Sequence, residues 1–210
     1  MLITGTSKGI GLACAKRFAD SYTIIGIART HGEFVHEVGD ITDSIFRNMI
    51  IEKYVPDVFI NNAGVGGNAK FDTLYRTNIE AAGSLLLNFY NKMPKGHIIN
   101  LSSWNANITG GPNTGVGELC YKASKAFIKN LSNNLSNKKT KPVIITSLEP
   151  QNVHTGLIPN SYNTLTQDVY ENYDFQSHAP MSAEYIAETI NWIITQPPWV
   201  CIKSLEISNV

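Results

Sequence analysis

The stretch MLITGTSKGIG, residues 1 to 11, sets a short apolar run against a turn with glycines at 5, 9 and 11, and opens an amphipathic helical pattern that continues to about residue 21. Glycines so placed allow a tight turn and bring backbone N–H groups close to an anion at the helix N-terminus. An unliganded strand-to-helix connection is the plainer alternative, and the spacing differs from G-x-G-x-x-G. The turn alone does not decide between them.

The alternation begun there runs to the other end of the chain. YTIIGIA (22–28), FVHEVG (34–39), DVFINNA (57–63), GHIINLS (96–102), PVIITSLE (142–149) and CIKSLEIS (201–208) read as strands. SIFRNMIIEKY, FDTLYRTNIEAAGSLLLNFYNKM, GELCYKASKAFIKNLSNNLSN and SAEYIAETINWIITQ carry helical spacing between them. Strands apolar along most of their length, separated by helices, indicate a parallel sheet covered on both faces. The expectation is a doubly wound α/β chain: one domain over residues 1–210, with a mostly parallel, seven-stranded Rossmann sheet. Ligands bind such sheets at the carboxyl ends of the strands.

Composition narrows the function. The chain has 210 residues, 43% of them hydrophobic, with 17 basic and 17 acidic side chains, so no net charge draws it to nucleic acid or an anionic membrane. Cys14, Cys120 and Cys201 are scattered, which argues against a disulfide framework or a structural zinc site and fits a reducing cytoplasm. The five histidines show no metal-ligand spacing, and no metal is expected. His154 alone is placed near a pocket by its neighbours. Tyr185, Trp192 and Trp199 read as core or interface. No charged leader and no stretch of transmembrane length is visible, so a cytoplasmic location is expected.

CYKASKAF, residues 120 to 127, places Tyr121 and Lys125 one above the other on a helical face. Bringing a phenol from about 10 to about 7 takes roughly 4 kcal/mol. A unit charge about 4 Å away at an effective dielectric near 20 supplies on the order of 4 kcal/mol, against which burial works. An ordinary helix-surface pair is the alternative.

The glycine turn, DIT at 40–42, NNAG at 61–64, Asn78, Ser103 and the Tyr121/Lys125 pair together resemble the short-chain dehydrogenase/reductase family, in its order and along the whole chain. The resemblance implies an oxidoreductase that moves a hydride between a nicotinamide dinucleotide and a small carbonyl or alcohol substrate. Tyr121 would transfer the proton, Lys125 would tune it and hold the nicotinamide ribose, Ser103 would polarise the carbonyl, and Asn78 would hold a relay water. Cofactor contacts would come from Gly5, Ser7, Lys8, Gly9, Ile10 and Gly11 in the turn. Asp40 and Ile41 would follow the third strand, Asn62, Ala63 and Gly64 the fourth, and Pro150, Val153 and Thr155 the sixth. An acid commonly ends the second strand when NAD is bound, but here Ala28 stands there and Arg29 follows; with Lys8 this favours NADP(H) over NAD(H). A homodimer or homotetramer through the helices carrying Asn78 and Tyr121 is also implied.

Four departures stand out. Arg29 to Asp40 is too short for a full helix plus a strand, so the second crossover helix should shrink to a turn. Gly64 to Asn78 is short, so the helix before Asn78 should be missing. Ser103 to Tyr121 is long and contains TGGPNTGVG, which could shape substrate access and leaves Ser102 or a loop residue as rivals to Ser103. Gln151 stands where the family has glycine, a costly exchange if the backbone there has positive φ.

GHIINLSS, SLEP and QPPWVCIKSLEI resemble the branch of NADP-dependent serine and 3-hydroxy acid dehydrogenases, implying a small hydroxy acid. A lid at about 156–180, with Tyr162, Tyr170, Tyr173 and Phe175 and no arginine, suits a less polar ketone or aldehyde equally well. A non-catalytic NADP-binding sensor or interaction protein is the competing class, disfavoured because a pure binder needs no proton relay. A sugar-nucleotide epimerase or dehydratase is disfavoured by the turn spacing and by the short C-terminal part.

Overall fold

The computed structural model describes residues 1–155 and 180–209. The strands are β1 (Leu2–Thr4), β2 (Ile25–Ala28), β3 (Glu37–Val38), β4 (Val58–Asn61), β5 (Gly96–Leu101), β6 (Val143–Pro150) and β7 (Ser204–Ile207). They form one sheet in the order β3-β2-β1-β4-β5-β6-β7, with every pairing parallel. The order reverses between β1 and β4, the switch point where a crevice opens at the carboxyl ends.

Alternation along these strands builds two cores. Leu2, Phe59, Ile98 and Ile145 lie in register across four strands and are fully buried on one face. Ile3, Ile60 and Ile99 make the matching row on the other. The first row packs with α2 (Ser44–Lys53), α4 (Ala82–Lys92) and α5 (Val116–Lys138), the second with α1 (Gly9–Phe18) and α6 (Ala183–Ile194). A one-residue slip in any strand would exchange the two faces, so burial on both sides sets the register.

The long helical run is α3 (Phe71–Leu74), a π-helical stretch (Tyr75–Ala81) and α4, joined without a break. Asn78 sits in the π-helical stretch. Such bulges are rare and concentrate at functional sites. As expected, no helix intervenes between Gly64 and Phe71, nor between Arg29 and β3.

The missing crossover helix is replaced by chain lying directly on β2. His36 donates its N–H to the Gly26 carbonyl at 2.8 Å, and its Nδ1 accepts from the Gly26 N–H at 3.2 Å. A Cβ on Gly26 would stand 1.7 Å from the Phe34 carbonyl oxygen. Phe34 itself packs on the core that the absent helix would have covered.

Tyr185, Trp192 and Trp199 are all exposed, Trp199 by 83%, so none is a core residue. The aromatic side chains expected in the lid lie outside the described residues. Among the described residues no helix is long and apolar enough to cross a membrane, and no group of three His, Cys, Asp or Glu could hold a metal.

Gly26→Ala tests the collapsed crossover. Backbone cannot yield as a side-chain tip can, so a loss of roughly 2–3 kcal/mol is expected, lowering the melting temperature by about 4–12 °C. A melting temperature within 1–2 °C of wild type would show that the loop does not rest on β2.

Candidate active site

A cleft of about 1140 Å³ opens above the switch point. Single small-molecule pockets run to about 1,000 Å³, so there is room for a dinucleotide with a substrate beside it.

The floor is set by Thr4 at the end of β1. Its fully buried hydroxyl oxygen accepts from the N–H groups of Asn62 and Ala63, both at 3.0 Å, and Asn62 Nδ2 donates to the Thr4 carbonyl at 2.8 Å. Gly5 and Gly9 adopt φ of +81° and +57°. Cβ atoms on Gly5 and Gly11 would each come within 2.7 Å of Asn62 Nδ2. Gly5, Ser7, Lys8, Gly9 and Ile10 line the cleft, whereas Gly11 packs under the turn, its absent Cβ only 2.2 Å from the Gly5 carbonyl oxygen. The N-cap of α1, Lys8, makes no side-chain cap, and no acid occupies the first turn. The free N–H groups and the helix dipole of that end therefore suit a phosphate.

Arg29 and Lys8 both border the cleft, both are exposed, and neither has an ion-pair partner among the described residues. The shortened crossover comes close to the glycine turn: a Cβ on Gly32 would lie 3.9 Å from Ser7 Cα. Asp40 and Ile41 line the same end, where Asp40 Oδ1 accepts from the Thr42 N–H at 2.9 Å. Ala63, Gly64, Pro150, Val153 and Thr155 are also on the lining.

The chemical end gathers Ser103, Tyr121 and Lys125, with Asn78 behind them. Lys125 Nζ donates to the Leu101 carbonyl at 2.8 Å and stands 5.8 Å from the Tyr121 ring centre. Asn78 Oδ1 accepts from the Val65 N–H at 2.9 Å; its Nδ2 donates to the Val65 carbonyl at 2.9 Å and to Ser124 Oγ at 3.1 Å. Ser103 hydrogen-bonds to Tyr121, while Ser102 Oγ donates to the Lys125 carbonyl at 2.8 Å. Ser103 rather than Ser102 thus faces the phenol.

Burial raises the Tyr121 pKa, and the Ser103 hydrogen bond opposes that shift. Burial also lowers Lys125, to about 8. Desolvation disfavours both charged forms and is the largest cause at each group.

The turn after Ser103 (Trp104–Asn107) is pinned by a buried carboxylate that the sequence reading passed over. Glu149 accepts from Lys129 Nζ and Asn107 Nδ2, each at 2.8 Å, and from Ser147 and Ser204. Gln151 has no positive φ, and its side chain accepts from the Asn209 N–H at 3.0 Å, so the feared strain is absent. His154 is not on the cleft lining, but His31 is, together with Thr77, Asn105, Glu118 and Asn152. Of these, only Glu118 had a legible signal, three residues before Tyr121 on the same helix. Gly117 and Gly67 let two segments meet at the mouth: a Cβ on Gly117 would stand 2.2 Å from the Gly67 carbonyl oxygen.

With this geometry in hand, comparison with known proteins is specific. Residues 1–165 match the model of the short chain dehydrogenase family, and the chain belongs to that family. The serine 3-dehydrogenase of Agrobacterium fabrum is 30% identical over 245 aligned residues, covering 100% of this chain and 93% of the relative. The closed form of a serine dehydrogenase complexed with NADP+ superposes with a TM-score of 0.76 at 22% identity, covering 99% of this chain and 94% of its own. The 3-alpha-hydroxysteroid dehydrogenase of Pseudomonas sp. B-0831, complexed with NADH, gives 0.80 at 19%, covering 98% and 94%. These two likenesses establish the fold.

Lys125→Met should separate the cost of the buried ammonium from its function. A lysine lowered from 10.5 to about 8 binds fewer protons folded than unfolded between those values. Wild-type stability, measured relative to Lys125→Met without cofactor, should therefore climb by roughly 3 kcal/mol from pH 8 to 10.5 and be flat below pH 8. Parallel pH–stability curves for the two proteins would contradict the burial.

Proposed function

We propose that this chain is an NADP(H)-dependent oxidoreductase that interconverts a small carbonyl and its alcohol, with Tyr121 as the proton-transfer group. The observation that carries the reading is the convergence of Ser103, Tyr121 and Lys125 on one wall of a dinucleotide-sized cleft. The uncapped α1 terminus, the positive φ of Gly5 and Gly9 and the bare Gly64 fit the dinucleotide. When bound, its nicotinamide accepts the hydride from the alcohol carbon or delivers it to the carbonyl carbon.

The protein's own residues do the rest. Ser103 Oγ donates to the substrate oxygen, an oxyanion-type assistance, and Tyr121 gives that oxygen its proton or takes it. Lys125 holds the ribose and biases Tyr121. A Cβ on Gly64 would lie 3.2 Å from Asn78 Oδ1 and 3.7 Å from Lys125 Nζ, so the bare glycine lets the loop after β4 pass close to both. Asn78 spends its amide on Val65 and Ser124; its role is to hold that loop against the helix carrying Tyr121 and Lys125. Arg29 and Lys8 would pair with a 2′-phosphate and Asp40 would meet the adenine. The relatives' names favour a hydroxy acid or amino acid substrate. The three unpaired, scattered cysteines favour the cytoplasm.

Titration calorimetry and turnover assays on wild type and Tyr121→Phe test the whole. Both proteins should bind NADPH about tenfold to a hundredfold more tightly than NADH, the strength of a charge-assisted pair. Tyr121→Phe should lose about 10²- to 10⁴-fold in kcat. Equal affinity for the two cofactors would remove the Arg29–Lys8 assignment; retained turnover in the variant would remove the mechanism and leave a sensor.

A second copy of this chain should pack on the helices flanking the site. Phe71, Tyr75, Leu87, Leu119 and Phe127 are exposed apolar residues of those helices, and Phe71 stacks on Tyr75. Light scattering should give a dimer or tetramer, shifted toward monomer by Leu87→Ser with Phe127→Ser; a wild-type monomer at micromolar concentration would refute it.

A further inference from the structure

Glu118 is the acidic side chain on the substrate side of the cleft. It lies on the first turn of α5, three residues before Tyr121, where helical neighbours approach to about 5–6 Å between Cβ atoms. Its side chain is 56% exposed, against 10% for its partner, Lys122, whose Nζ lies 3.3 Å from Glu118 Oε1. That ammonium is shared with Asn105 Oδ1, to which it donates at 2.7 Å. No other described residue bonds the Glu118 carboxylate, which leaves acceptor capacity open on a residue of the cleft lining. The backbone around it is held: a Cβ on Gly67 would be 3.0 Å from Glu118 Cα, so the loop after β4 braces the turn that carries it.

Cations are distributed the other way. Lys8 and Arg29 lie at the nucleotide end, and Lys125 is tied to the Leu101 carbonyl. Among the described residues, a substrate whose only charge is a carboxylate would find no free cation beside Glu118, because Lys122 is engaged by Glu118 and Asn105. An ammonium next to the reacting carbon would find an acceptor already in place.

We infer that Glu118 selects substrates bearing an ammonium group beside the reacting alcohol or carbonyl, making amino alcohols and β-hydroxy-α-amino acids the favoured class over plain hydroxy acids. This rests on the proposed oxidoreductase reading. In the oxidation of such an alcohol, the C–H bond breaks with its electron pair passing as hydride to NADP+, and the O–H proton goes to Tyr121. The ammonium remains on the substrate throughout, held by Glu118.

The test compares kcat/KM for 2-amino-1-propanol and 1,2-propanediol, which differ by ammonium against hydroxyl, and for serine and glycerate. Wild type should prefer the amine of each pair by about tenfold or more, the selectivity a charge-assisted contact gives. Glu118→Gln should bring that ratio close to one, chiefly through the KM of the amine, and Glu118→Asp should restore part of it. A purely structural carboxylate, serving the helix dipole and Lys122, would change the melting temperature and leave the ratio intact; that outcome overturns the inference. Turnover of neutral carbonyls and diols with no preference for amines also overturns it while the oxidoreductase reading stands. Silence of the wild type on every carbonyl and alcohol tried would instead sink that reading and the inference with it.

Discussion

The side-chain amide of Asn78 is the constraint on which the chemical end of the cleft depends. Its three hydrogen bonds join the loop after β4, through both backbone groups of Val65, to the helix that carries Tyr121 and Lys125, through Ser124. Both N–H donors of the amide are consumed, and the residue is almost completely buried. Removing it would orphan a backbone N–H, a carbonyl and part of a serine at once, each costing about 1–3 kcal/mol if left unpaired. The π-helical stretch delivers Asn78 to that place. An extra residue in the turn rotates the side chain relative to α4, so one helix can pack its apolar face on the sheet and still turn an amide toward the site.

Shortening the chain has shifted work from helices to backbone contacts. Where a crossover helix would have covered β2, residues 32–36 lie on Gly26 instead. Where a helix would have preceded Asn78, a short loop rests against Gly117 and Glu118. Each replacement depends on a glycine that admits a backbone neighbour closer than any Cβ would allow. The same economy shapes the cleft: the collapsed crossover comes close to the glycine turn at Ser7, and the short loop braces Glu118.

Much of this was legible in the residues. Runs such as DVFINNA and GHIINLS are buried on both faces, so their apolar character survives any local context, and every strand and helix read from periodicity is present. The glycine turn, NNAG and the Tyr121/Lys125 spacing were legible because they are local and their backbone demands are strict. What was not legible has partners far away in sequence. Asn61, Asn100 and Ser132 form a buried chain of hydrogen bonds linking β4, β5 and α5, yet each reads alone as an ordinary polar residue. Glu149 carries no local signal in the sequence; burial raises its pKa, and hydrogen bonds from Lys129, Ser204 and Asn107 more than offset that, leaving it lowered. Gln151 looked like a strained substitution because the family's glycine suggested positive φ; the backbone here does not require it.

The charge balance around Tyr121 follows from the same burial. A phenol and an ammonium have reference values near 10 and 10.5, so in water the proton is almost evenly shared. Enclosure moves them apart, the phenol upward and the ammonium down to about 8, so below that pH a neutral phenol stands beside a charged ammonium. A neutral phenol is the form that donates a proton to a carbonyl oxygen as it gains a hydride, and on the proposed chemistry Ser103 would share the developing charge. The reverse reaction needs the phenolate, which the protein alone disfavours. An additional positive charge in the cleft would lower its cost, and an oxidised nicotinamide carries one. On the proposed chemistry, the protonation state of Tyr121 is then coupled to the redox state of its cofactor, so the base forms only when there is a hydride acceptor for it to serve.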